Sequence, residues 1–303
     1  MEVLIVLNKD EDTLSFIDAV SHETIKTIAT DHNPHEVVVS PGGDKTYVTC
    51  SLGNALNIID NATFEIVKTI KDEDFNFPHG VGIKDNKLYI ASTHNSMIFV
   101  IDITTDEIIK RFPTYQHLSH MISFSPDKAR IYVPNIGSNN VTLIDTATDT
   151  ITGHIPVGRG PEGLAAHPEG PVYVANQSDN TLYIIDPDTF ETRHKRRLGE
   201  TPVRLVFSPD GKYALIPNRQ SKDVSVIDSA QALNGGVRPW EIKRIPVGNW
   251  PGGVVFNETG RLAYVANNKT NDISVIDMET LKETARIDAG IHPDGIAYVK
   301  KGA

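Results

Sequence analysis

The chain has 303 residues, 39% hydrophobic and 22% charged, which is the make-up of a globular protein with material for a large core. A formal net charge of −10 argues against a broad electrostatic grip on nucleic acid or on an anionic membrane. The single cysteine, Cys50, excludes an internal disulfide, and no apolar run approaches the roughly eighteen residues that a membrane-spanning helix needs.

The first element in chain order is the apolar run Val3–Leu7. It has no basic lead-in and no small-residue cleavage site, and Asp10-Glu11-Asp12 follows at once, so it is predicted to be a strand and not an export signal. A cytoplasmic location is the expectation. From there the text repeats. An apolar residue followed by Asp recurs as Ile17-Asp18, Ile59-Asp60, Ile101-Asp102, Ile144-Asp145, Ile185-Asp186, Ile227-Asp228 and Ile276-Asp277, at intervals of 42, 42, 43, 41, 42 and 49. Ten residues before each Asp stands Asn8, Cys50, Ser92, Asn135, Asn176, Asn218 or Asn267, read as a loop anchor. A period near 42 with several short apolar runs per unit predicts propeller blades.

Within one unit, Glu36–Ser40, Thr46–Cys50, Leu56–Asp60 and Ile66–Ile70 read as strands a to d. Six of the seven recurring Asp residues open an Asp-x-x-Thr or Asp-x-x-Ser turn, in which the carboxylate accepts backbone N–H bonds. Gln231 breaks that pattern in the unit that carries extra residues around Asn234-Gly235-Gly236. The basic run Arg193–Arg197 reads as a solvated edge strand protected by its charge. Cys50 reads as a packed small side chain, since nothing beside it activates a thiolate. The chain starts on a strand b and finishes on a strand a, Gly295–Val299, so one C-terminal strand is expected to join three N-terminal strands and close the ring. The expectation is an all-β, seven-bladed β-propeller, a single domain over residues 1–303.

The units resemble the YVTN family of β-propeller repeats over essentially the whole chain, through Tyr47-Val48-Thr49-Cys50, the two Tyr-Val-Ala-Asn segments ending at Asn176 and Asn267, and Ser-Val-Ile-Asp before Asp228 and Asp277. That resemblance implies the fold and says little about activity, because relatives include surface proteins, lactonase candidates and binding scaffolds.

Function is sought where each strand a begins. The seven entries read Pro34-His35-Glu36, Pro78-His79-Gly80, Ser119-His120-Met121, Pro161-Glu162-Gly163, Pro202-Val203-Arg204, Pro251-Gly252-Gly253 and Pro293-Asp294-Gly295. Three consecutive blades offer histidine at the middle position and the fourth offers a carboxylate. With these Cα atoms about 7–8 Å from the axis, each imidazole reaches to about 2.1 Å of a common point, a metal–nitrogen distance. The expected ligands of a divalent transition metal are His35, His79, His120 and Glu162, and the donor set does not separate Zn, Mn, Fe, Ni and Cu. Glu162 doubles as a candidate general base. Arg204 is the candidate receptor for an anionic group, with Arg159 beside it in the next blade. His32 and His117 stand three residues before proposed ligands and are candidate proton carriers. His94, Arg219, Lys222, Trp250 and Asp294 share the same face.

Propeller lyases of amidated peptides and of pectin fragments are similar in site type, gathering histidines from several blades around one metal. The functional expectation is therefore a metal-dependent lyase or hydrolase. Its partner would be a small anionic molecule, a carboxylate before a phosphate, with no nucleic acid and no membrane, and the protein would act as a monomer. The other reading is a non-catalytic scaffold that binds a protein or peptide on the same face.

Overall fold

The recurring Asp residues set the rhythm of the chain. In the computed structural model, which describes residues 1–233 and 240–300, each of the seven accepts backbone N–H bonds two or three residues on. Asp145 Oδ1, for example, accepts from Ala147 at 3.0 Å and Thr148 at 2.9 Å. Asp228 accepts instead from Gln231 at 3.0 Å, where the turn is replaced by the short helix Ser229–Leu233. The extra residues at Asn234-Gly235-Gly236 lie outside the described residues.

Each of those turns lies between the third and fourth strands of a blade, and among the described residues 28 strands form seven four-stranded antiparallel sheets, the blades of a propeller. Blade 1 runs from Pro34–Val39 through Lys45–Cys50 and Ala55–Asp60 to Glu65–Lys71, close to the predicted strands. Blade 7 is composite, as expected. Pro293–Lys300 pairs with Glu2–Asn8, which pairs with Thr13–Asp18 and then Thr24–Ala29. The basic run falls in the outermost strand of blade 4, Thr192–Arg197, and is mostly exposed. No helix of the described residues is long and apolar enough to cross a membrane.

Between blades the core is apolar on both faces of each sheet. Along Glu2–Asn8, Val3, Ile5 and Leu7 pack toward Val48, Ala55 and Ile59 of blade 1. The alternate residues Leu4 and Val6 pack toward Tyr264, Ile273 and Val275 of blade 6. Period-two alternation with both faces buried explains why these strands read as continuous apolar runs. The anchor position works as read: Asn135 Nδ2 donates to Asn140 Oδ1 and Thr142 Oγ1, and Asn267 repeats the pattern on Asp272 and Ser274. Cys50 is buried, its thiol pushed well up by burial, with Sγ 3.3 Å from Asn57 Oδ1.

Candidate functional site

The geometry of the site begins with a repeated backbone device. Just before each strand entry stands a residue in the left-handed region: Asn33, Phe77, Leu118, Gly160, Thr201, Trp250 and His292, with φ between 55° and 62°. The next residue, Pro or Ser, pairs with the anchor of its blade, as Pro34 does with Cys50 and Ser119 with Asn135. Then the ladder breaks. Pairing jumps from Pro34 to Glu36 and from Pro161 to Gly163, which leaves His35 and Glu162 as bulged residues. In blades 3 and 5 the strand proper starts only at Ser123 and Val206, shorter than in their neighbours.

Glycine at the third position of the entry has a packing cause. A Cβ on Gly295 would stand 2.5 Å from the His35 carbonyl oxygen, and one on Gly80 would stand 2.5 Å from that of His120. Gly80, Gly253 and Gly295 let the middle residue of the next blade close over them, and Gly163 does the same for Arg204. Glu36 and Arg204 occupy this position in two other blades and put charged side chains where glycine is otherwise common.

The three predicted histidines come together. The rings of His35 and His79 lie 4.2 Å apart between centroids, and His79 stacks on His120 at 3.7 Å. Each faces its own carboxylate: His35 Nε2 is 4.0 Å from Asp294, His79 Nε2 4.0 Å from Glu36, and His120 Nε2 3.8 Å from Glu162. Thr93 Oγ1 also lies 3.3 Å from His120 Nδ1. Both ring nitrogens of His79, and Nδ1 of His35, are buried without a hydrogen-bond partner. Among the described residues, His35, Glu36 and His79 place donor atoms mutually within 4.8 Å.

Below the histidines sits a layer of buried charge. Arg204 donates through its side chain to Glu162 Oε1 at 2.5 Å and through its backbone N–H to Glu162 Oε2 at 2.8 Å. The same guanidinium contacts Glu36 directly and approaches Asp294 Oδ1 at 3.6 Å. Burial pushes Glu36 up to about 7, against the pull of Arg204, and the neighbouring charges of Asp294 and Glu162 add to the rise. Burial also opposes the charge on Glu162 and Asp294. Arg204 and Arg219 outweigh it at Glu162, and His35 with Arg204 at Asp294, so both stay below the usual carboxylate range. Burial lowers His35 to about 4 and His120 to about 3, and holds His79 well below 6.5. All three imidazoles are therefore neutral at physiological pH, the form in which they ligate metals.

A stability consequence follows. Unfolded, these histidines titrate near 6.5; folded, His35 resists protonation until about pH 4 and His120 until about 3, and His79 is lowered in the same direction. Their contribution is complete above pH 6.5 and is lost as pH falls, opposed in part by Glu36, which binds its proton more readily when folded. Urea unfolding of His120→Asn is expected to retain about 3 kcal/mol of the stability that the wild type loses between pH 7 and 4. Parallel pH curves for the two proteins would contradict this.

The remaining candidates divide. Arg219, Trp250 and Asp294 line the same cavity as the histidines, about 180 Å³ in volume, together with Lys9 and Phe77. Arg159 is exposed, its backbone N–H bonded to Asp179. His32 pairs with Asp12 at 2.9 Å, its side chain 60% exposed. His117 is exposed, with its backbone held by Ser138. Sequence reasoning passed over Glu36 and Lys9. For Glu36 the signal was an acid at a position that is glycine in four of the seven entries.

The family described as Domain of unknown function (DUF5074) matches residues 9–204. Among solved structures, a functionally unknown protein from Desulfotomaculum acetoxidans superposes with a TM-score of 0.85 at 17% identity, covering 98% of each chain. Hydrazine synthase from Kuenenia stuttgartiensis gives a TM-score of 0.82 at 21% identity, covering 91% of this chain and 92% of that one. At such identities the likeness is one of fold. The PE-PGRS family protein PE_PGRS18 of Mycobacterium tuberculosis is 47% identical over 49 residues, which is 16% of this chain and only 10% of that protein's length.

Proposed function

We propose that this chain, which belongs to the DUF5074 family, is a metal-dependent enzyme that eliminates from or hydrolyses a small anionic molecule at the mouth of its channel. Its blades are read as YVTN-type repeats forming one domain. The observation that carries the reading is the set of buried, unpartnered nitrogens on His79 and His35. A buried polar group without a partner costs about 1–3 kcal/mol, and a ligated cation would remove that cost.

His35, His79 and Glu36 are the nearest donors, and His120 joins them by turning out of its stack on His79. Neutral imidazoles with one carboxylate suit Zn, Mn, Fe, Ni or Cu. Such an ion supplies a Lewis acid and an acidified water. Glu162, fixed by Arg204, is the candidate base or a further ligand, and Arg204 acts as the positioning residue of the layer.

About one equivalent of a first-row transition metal per chain is expected by native mass spectrometry. Because burial keeps His35 neutral to about pH 4 and His120 to about 3, the metal should persist at pH 5. His79→Ala should lose it while keeping its far-ultraviolet circular dichroism. Equal metal in wild type and variant would end the assignment.

A further inference from the structure

The cations of the channel mouth do not pair off evenly. Arg204 is occupied by Glu162 and Glu36, and Lys9 Nζ faces Asp294 at 3.6 Å. Arg219 has no acid of its own. Among the described residues its guanidinium makes no ion pair or side-chain hydrogen bond, and its Nε is buried without a partner. The group lies 6.0 Å from the ring centroid of Trp250. It also stands near Gly252, where a Cβ would lie 4.0 Å from an Arg219 terminal nitrogen and 3.1 Å from Asp294 Oδ1. Arg219, Trp250 and the three histidines line one cavity, together with Phe77.

Resting on the metal-site reading above, we propose that Arg219 and Trp250 form the anchoring subsite for the substrate, which is a small monocarboxylate with a flat, apolar body. A guanidinium with free N–H groups takes a carboxylate through two parallel bonds, a geometry that orients as well as attracts. Trp250 supplies a face for the adjoining carbons, and Phe77 supplies a second apolar wall across the mouth. The cavity of about 180 Å³ holds the volume of roughly six waters, which suits an acid of about ten heavy atoms or fewer and excludes a drug-sized ligand.

Trp250 adds independent support. It is 40% exposed at the left-handed entry position that every blade shares, so packing does not hold its ring in place. An asparagine occupies the same position in blade 1, at Asn33. Trp250→Asn therefore removes the aromatic face from a site whose backbone asparagine tolerates.

The test is calorimetric titration with benzoate, its neutral isostere benzamide, and cyclohexanecarboxylate, into chelator-treated and zinc-loaded protein. Wild type should bind benzoate in both forms, at least tenfold more tightly than benzamide and more tightly than the non-planar acid. Arg219→Gln should weaken benzoate tenfold or more, and Trp250→Asn should weaken it with an unchanged melting temperature. No benzoate binding by wild type, equal binding of benzamide, or undiminished binding by a folded Arg219→Gln would overturn the proposal. The two readings fail separately. Benzoate binding by protein that takes up no metal would sink the metal centre alone, and metal uptake without benzoate binding would sink the anion subsite alone.

Discussion

Replacing Arg204 with methionine should remove about 3–5 kcal/mol of stability, the usual cost of breaking a buried ion pair from one side. The residue is 5% exposed, and its guanidinium is the common partner of Glu162, Glu36 and Asp294, of which Glu162 and Asp294 are themselves almost fully buried. Methionine matches much of the volume, so the loss is electrostatic. Glu162 would keep the backbone N–H of residue 204 but lose its charged partner, and its carboxyl would rise toward neutrality. If charge is the cause, removing it on the acid side should restore stability. Arg204→Met with Glu162→Gln and Glu36→Gln should recover most of the loss, because neutral groups no longer need a cation. Urea midpoints at pH 7.5 measure both steps. A loss below about 1 kcal/mol for the single variant, or no recovery in the triple, would show that the layer is not held by this pairing. The result also bears on the sequence-based role for Arg204 as receptor for an anion: a guanidinium committed to internal acids is a structural hub, and among the described residues that line the cavity Arg219 is the cation without an ion pair.

That division shows what a linear text carries and what it withholds. The Ile-Asp repeat and the mismatched ends at Val3–Leu7 and Gly295–Val299 were legible because each blade repeats the same local chemistry: an Asp turn, an anchoring Asn and alternating apolar strands. The histidine trio was legible for the same reason, since equal register in a ring becomes proximity. Glu36 was not. Its partner Arg204 lies 168 residues away and meets it across the channel, a contact that no period announces. The stack of His79 on His120 was hidden too, because register places Cα atoms on a circle but does not set side-chain rotamers. Nor did composition reveal that Lys9 would be spent on Asp294 while Arg219 is left free, because pairing among neighbours in a crowded mouth depends on distances of a few ångström.

Removing the last strand is the harsher test of the closure. A chain ending after Pro293 should lose several kcal/mol, comparable with the whole stability of an ordinary domain, and aggregate on mild heating. The segment contributes on three fronts. It pairs with Glu2–Asn8 from Lys300 opposite Glu2 to Pro293 opposite Asn8, so its loss exposes one full edge of that strand. Its alternate side chains serve two cores at once: Val299 and Ala297 pack with Ile5 and Leu7 against blade 1, while Ile296 and Tyr298 pack with Leu4 and Val6 against blade 6. It also carries Asp294, partner of Lys9 and neighbour of Arg204, so the channel loses an acid as the seam opens. Chain ends normally fray at little cost, and a melting curve unchanged by the truncation would place this end in that class and refute the closure. Adding a synthetic peptide of residues 294–300 separates the explanations. Restoration of the melting temperature in trans, saturating with peptide concentration, is expected if the strand acts through its own pairing and packing. The lost stability should then return without a covalent link, as a gap in a ring of blades is filled from either side of the seam.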